Sequence, residues 1–201
     1  QYRTFVSVLY RRPRFYIGNI QNLRDRSTLI KTDLREVYDD ICDFFRERDP
    51  QILSRVSFYE DRLLPLGKLY SLDKAFEEAQ SERVWLKSGG YLVIQPTEAL
   101  TVIDVNTGKY EGKKNTEEAF FRINREAVQE SARQIRLRSL SGIIIIDFIN
   151  MEEKEHQETV LEELKNAVKT DPVRTVLVDM TPLGLVEVTR KRQYRSLKEQ
   201  L

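Results

Sequence analysis

Asp104 and Asn106 interrupt the apolar run of TVIDVNTGKY, residues 101–110, and Asp147 follows directly on the four isoleucines of SGIIIIDFIN, residues 141–150. An aspartate near the end of an apolar run is costly to bury unless something pairs with it. Side chains alternate along a strand, so Asp104 and Asn106 share one face. In open α/β sheets the ligand crevice lies outside the carboxyl ends of the strands. Two aspartates leaving neighbouring strands there meet at short range, and like charges so close need a cation. His156 is the only histidine and Cys42 the only cysteine, which excludes a two-histidine acid–base pair and a cysteine-cluster zinc site within the chain. The available ligands are then oxygens, which suit Mg²⁺ or Mn²⁺. Such an ion is a Lewis acid for a phosphoryl oxygen and a source of activated water, with Asn106 as a neutral partner for that water or the phosphate. The competing reading is that each aspartate caps a turn or a helix. Spacing alone leaves the two readings even.

The elements that must position these residues follow from periodicity. TLIKTD and RVSFYED read as short strands, and DLREVYDDICDFFRER as an amphipathic helix with Leu34, Val37, Ile41 and Phe45 on its inner face. SLDKAFEEAQ reads as a second helix, and the alternation suggests an α/β layer. Two β-rich runs flank Ser88-Gly89-Gly90, a hairpin signal that we read as a turn rather than a phosphate cradle. There is no Walker pattern and no GxGxxG. Asn115 with Glu118 resembles a capping box opening a long helix, whose Phe120, Ile123, Ala127 and Ile135 share a face at ~100° per residue. Arg122, Arg125, Arg133 and Arg136 gather on the opposite face, read as solvated surface. The isoleucine run does not alternate, which predicts a central, parallel-type strand covered on both faces. EEKEHQETVLEELKNAVK reads as a helix with Val160, Leu164 and Val168 inward and His156 packed or capping. VRTVLVDM is a strand ended by Pro182, and the remainder a short strand followed by a basic helix.

Composition sets the outer limits. At 201 residues the chain holds one large domain or two small ones, and 40% hydrophobic with 32% charged residues is ordinary for a folded protein. No apolar run approaches the roughly 20 residues that span a bilayer. A lone thiol fits a reducing compartment, so the cytoplasm is the expected location. The formal charge of +1 conceals basic clusters at 11–14, 133–138 and 189–195, which leave room for a polyanionic partner. The chain opens on Gln1, the mark expected of a fragment or a processed product.

Three long motifs in order, SGGYLVIQPTEALTVIDVNTGKY, RQIRLRSLSGIIIIDFINM and PLGLVEVTRKR, closely resemble the catalytic region of the ribonuclease E/G family. The likeness runs from about Arg83 to Leu197 and continues more weakly upstream to about residue 25. It implies an α/β fold of mixed sheets with helices packed on them: a partial RNase H-like structural subdomain over 1–82, then a DNase I-like catalytic subdomain over 83–201. It also implies Mg²⁺-dependent endonucleolytic cleavage of single-stranded RNA by metal-activated water, leaving 5′-phosphate and 3′-hydroxyl ends. By this resemblance Asp104 and Asp147 are the metal-binding aspartates and Asn106 the supporting asparagine. The family motif D-F-I-D-M reads here with Asn150 at its second acid, a position that is not one of the family's metal ligands.

The resemblance also locates parts outside this chain: the family's S1 domain and 5′-monophosphate sensor upstream, and its zinc-binding C-P-x-C motif downstream. Zinc is therefore not expected here. The parent is expected to be a homo-oligomer and this chain a monomer, with no membrane segment. Arg190, Lys191 and Arg192 are the candidate RNA contacts, against the reading that they are a solvated helix end. The alternative to an enzyme is a non-catalytic RNA-binding or scaffold fragment of a ribonuclease E/G-like protein. A third reading, a phosphoesterase for a small metabolite, is disfavoured by the lack of a phosphate-cradling glycine loop.

Overall fold

The computed structural model describes residues 14–21, 28–61, 63–108 and 116–200. They fold as two units, divided between Asp73 and Lys74. Most of the first basic cluster and the Asn115 cap lie outside the described residues.

The first unit contains α1 (Phe15–Gln21), β1 (Ile30–Thr32), α2 (Arg35–Phe45), α3 (Pro50–Leu53), β2 (Val56–Phe58) and α4 (Leu66–Leu69). β1 and β2 pair in parallel, and Ile17, Ile20, Ile41, Phe45 and Ile52 form the core. The short helix α1 places Ile17 and Ile20 in this core. Leu34 is not on the inner face of α2. It is 62% exposed at the N-cap, where its amide donates to the Thr32 hydroxyl at 3.2 Å.

α5 (Leu72–Gln80) leads into the second unit, which comprises β3 (Arg83–Trp85), β4 (Tyr91–Pro96), β5 (Leu100–Asn106), α6 (Thr116–Leu137), β6 (Gly142–Asp147), α7 (Lys154–Lys169), β7 (Thr175–Met180), β8 (Leu185–Arg190) and α8 (Leu197–Gln200). Its six-stranded sheet has the order β3-β4-β5-β6-β8-β7. β5 and β6 run parallel, joined across α6, and every other pair is antiparallel. The fold is therefore α/β with a mixed sheet, as the sequence predicts.

The helices α6 and α7 cover one face only. Leu92, Ile94, Ile103, Val105, Ile144, Ile146, Val186 and Val188 point into that core against Ile123, Ala127, Val128, Ile135, Val160 and Leu164. β6 is central, but it is parallel to β5 and antiparallel to β8, and it is not covered on both faces. Ile143 remains 49% exposed and Ile145 half-buried. The isoleucine run hides this asymmetry because both faces carry the same residue type.

Candidate metal and phosphodiester site

The second, more open face of this sheet carries the residues of interest. Strand alternation sends Thr101, Ile103 and Val105 to the core and Val102, Asp104 and Asn106 to the other side. In β6, Ile144 and Ile146 face the core while Asp147 closes the strand on the open side. The parallel register places Asp104 directly beside Asp147, one inter-strand spacing of about 4.8 Å away. Asn106 Nδ2 donates to Asp104 Oδ2 at 2.8 Å, so the asparagine fixes the orientation of one carboxylate. Partial desolvation pushes the Asp147 carboxyl above its ordinary range, and the charge of Asp104 beside it adds to the shift. Two oxygen-donor side chains and a neutral amide thus converge around mutual repulsion that a cation would relieve.

The loops on both sides of the site are pinned from below. Asn124, fully buried in α6, donates to the Ile149 carbonyl at 2.8 Å and accepts from the Ile149 amide at 3.0 Å. Glu117 accepts the amides of Glu152 and Glu153 at 3.1 and 3.2 Å. Its carboxyl lies below its usual range, first because of the Glu152 amide. These bonds fix the segment that follows Asp147. On the other side Gly89 and Gly108, both at positive φ, bring the β3–β4 turn against the end of β5. A Cβ on Gly108 would stand 2.1 Å from the Gly89 carbonyl oxygen. The glycines therefore serve close packing, in keeping with the turn reading. His156 stacks on Phe121 with ring centroids 4.0 Å apart and bonds Glu117 through Nδ1 at 3.1 Å, a packed histidine as expected.

The basic segment does not act as one patch. Arg190 ends β8 on the core side, with its side chain 6% exposed, and binds Asp171 at 2.8 Å; the Asp171 side chain is 2% exposed. It also donates to the Leu140 carbonyl at 3.0 Å. Burial raises the Asp171 carboxyl, but hydrogen bonds from Arg190, the Val173 amide and the Thr175 hydroxyl outweigh it and bring the net value below normal. Arg190 is thus a buried structural cation, a correction to its expected place among RNA contacts. Lys191 and Arg192 are exposed, and Arg192 pairs with Glu199 at 2.8 Å. All three lie at the opposite end of β6 from Asp147, since Arg190 registers with Gly142. The two ends lie five residue steps apart along β6, about 17 Å. Of the α6 arginines, Arg125 bonds Glu163 at 2.7 Å and Arg133 bonds Glu130 at 2.8 Å, in keeping with a solvated face.

Three residues that sequence reasoning passed over share the open face with the carboxylates. Trp85 registers with Tyr91, Tyr91 with Asn106, and Arg83 with Val93 beside Asp104. The Trp85 and Tyr91 rings lie 5.2 Å apart, and the Arg83 guanidinium sits 4.4 Å from the Tyr91 centroid. Period-2 alternation in Arg83-Val84-Trp85, read through the Gly89–Gly90 turn, is the signal that would have found them.

No group of three or more His, Cys, Asp or Glu residues suited to a metal ion occurs among the described residues. Two adjacent carboxylates with an amide are nevertheless a donor set that could hold Mg²⁺, which uses one or two protein carboxylates and completes its shell with water and substrate phosphate. Among the described residues no helix is long and apolar enough to cross a membrane.

A model of the ribonuclease E/G family matches residues 2–193. The chain is 42% identical over 172 residues to ribonuclease G of Salmonella typhimurium (strain SL1344), covering 86% of this chain and 35% of that protein. It is 41% identical over 189 residues to ribonuclease G of Haemophilus influenzae, covering 94% of the chain and 37% of the relative. Against ribonuclease E of Nostoc sp. (strain PCC 7120) it is 41% identical over 168 residues, covering 84% of the chain and 24% of the relative. It spans about a third of the length of the ribonuclease G relatives. The match to the family model runs through the whole sheet that carries Asp104 and Asp147, and the chain belongs to the ribonuclease E/G family.

Proposed function

We propose that this chain carries the metal-binding carboxylates of an endoribonuclease acting on single-stranded RNA. The observation that carries the reading is the register of Asp104 beside Asp147 on adjacent parallel strands, with Asn106 bonded to Asp104. Asp104 and Asp147 would hold one Mg²⁺ ion, with Mn²⁺ as a substitute, because both present hard oxygen ligands. When bound, the ion supplies Lewis acidity toward a phosphoryl oxygen and acidifies a coordinated water. Asn106 holds Asp104 in the orientation its role requires, and outer partners of this kind tune a metal site strongly. Asn124 and Glu117 hold the segment after Asp147 in place. Attack of water on phosphorus with departure of the 3′ oxygen leaves 5′-phosphate and 3′-hydroxyl ends.

The test is incubation of a 5′-labelled unstructured RNA oligonucleotide with the chain in Mg²⁺ and in EDTA, with the product ends identified chemically. Cleavage in Mg²⁺ alone, yielding 3′-hydroxyl termini, is the expected result. Undiminished cleavage in EDTA, or 2′,3′-cyclic phosphate ends, would overturn the mechanism. Binding of RNA without cleavage under any divalent cation would favour a scaffold role instead.

A further inference from the structure

We propose that Arg83, Trp85 and Tyr91 form a platform on which an unpaired nucleobase stacks beside the carboxylate pair. The inference deepens the nuclease reading and rests on it for the identity of the polyanion. Trp85 lies on the edge strand β3 and is 56% exposed, so its large ring gains little from the fold itself. Edge strands more often carry charge or irregularity that blocks further pairing. Here the edge strand carries Trp85, which meets Tyr91 of the neighbouring strand β4, with the Arg83 cation beside both rings. The rings of Trp85 and Tyr91 are 5.2 Å apart at 59°. Arg83 lies 4.4 Å from one ring centroid and 5.8 Å from the other, a cation–π arrangement that orders its guanidinium.

The position relative to the carboxylates gives the platform its meaning. Tyr91 is the cross-strand neighbour of Asn106, and Arg83 shares a row with Val93, Asp104 and Asp147. Trp85 is two strands from Asn106, roughly 10 Å. A nucleotide whose base rests on Trp85 and Tyr91 therefore brings its own phosphate toward Asp104 and Asp147, with Arg83 as a cation along the way. Proteins that bind single strands combine aromatic stacking with positive charge in this manner, tolerating any base because every base has a π-face.

Trp85 is the only tryptophan, so its emission reports stacking directly. The chain is titrated in EDTA with a short oligouridylate, and with an abasic oligonucleotide of the same phosphate count. The platform predicts quenching at saturation by the base-bearing strand and little by the abasic one. In parallel, anisotropy of a labelled oligouridylate should show Trp85→Ala weakening binding roughly 5- to 100-fold, with Trp85→Phe close to wild type. Equal quenching by both strands, unquenched emission at saturation, no binding at all, or an alanine variant that binds like wild type would each overturn the platform. Because metal is absent, these results are independent of cleavage. A failed platform with intact Mg²⁺-dependent cleavage leaves the nuclease reading standing, and stacking without cleavage in Mg²⁺ does the reverse.

Discussion

Replacing Arg190 by methionine separates a structural arginine from a contact for RNA. Methionine keeps much of the stem and removes the cation, leaving Asp171 with the Val173 amide at 2.9 Å and the Thr175 hydroxyl at 2.8 Å as its bonds. Both partners are almost wholly buried, and removing one partner of such a pair typically costs about 3–5 kcal/mol. The Leu140 carbonyl loses its donor as well. The effect depends on pH in a definite direction. Asp171 has a folded value below its unfolded one, so its pairing stabilises fully above the unfolded pKa of about 3.9 and is lost as pH falls through the folded value. In the variant the unpaired buried carboxyl is pushed up instead. The difference between wild type and Arg190→Met is therefore greatest near neutrality and shrinks as the pH approaches 4. Urea unfolding followed by circular dichroism at pH 7 and pH 4.5 measures it, with Arg192→Met as the control whose unfolding midpoint stays near wild type. An Arg190 variant that unfolds like the control at pH 7, or a difference that grows on acidification, would refute the reasoning.

Other substitutions test the supports of the site. Asn124→Ala removes the partner of the half-buried Ile149 amide and carbonyl, and should lower unfolding stability by about 1–3 kcal/mol while slowing RNA cleavage. Asn106→Ala frees the Asp104 carboxylate and should reduce cleavage or metal affinity about 10- to 100-fold, with a Mg²⁺ titration of the rate showing which. Gly108→Ala forces a Cβ against the Gly89 carbonyl at φ +66° and should destabilise the second unit by about 1–3 kcal/mol, read from its thermal midpoint.

Much of the site was legible in the sequence. Alternation in Val102-Ile103-Asp104-Val105-Asn106 puts Asp104 and Asn106 on one face, and the isoleucine run marks β6 as central. What pattern alone could not supply was the adjacency of β5 and β6, which depends on the crossover through α6 and the parallel register it allows. The number of covered faces was also hidden, because isoleucine at both parities of β6 erases the period-2 signal. Arg190 shows the opposite situation. Within Thr189-Arg190-Lys191-Arg192 the charges look alike, yet Val186, Val188 and Arg190 share the core parity of β8. Alternation carried through the motif points Arg190 inward, and only its buried partner Asp171, 19 residues upstream, was beyond reach.

The central claim is that Asp104 and Asp147 act as one unit in holding a divalent ion for RNA cleavage. Single-turnover cleavage of one unstructured RNA by wild type, Asp104→Asn, Asp147→Asn and the double variant, at saturating Mg²⁺, tests it most directly. Each substitution deletes a charge and little volume, and relief of repulsion should keep the metal-free fold at least as stable as wild type. Groups that act as a unit are strongly non-additive, so each single variant should lose as much activity as the double. Near wild-type cleavage by either single variant, or losses that simply multiply in the double, would contradict the account.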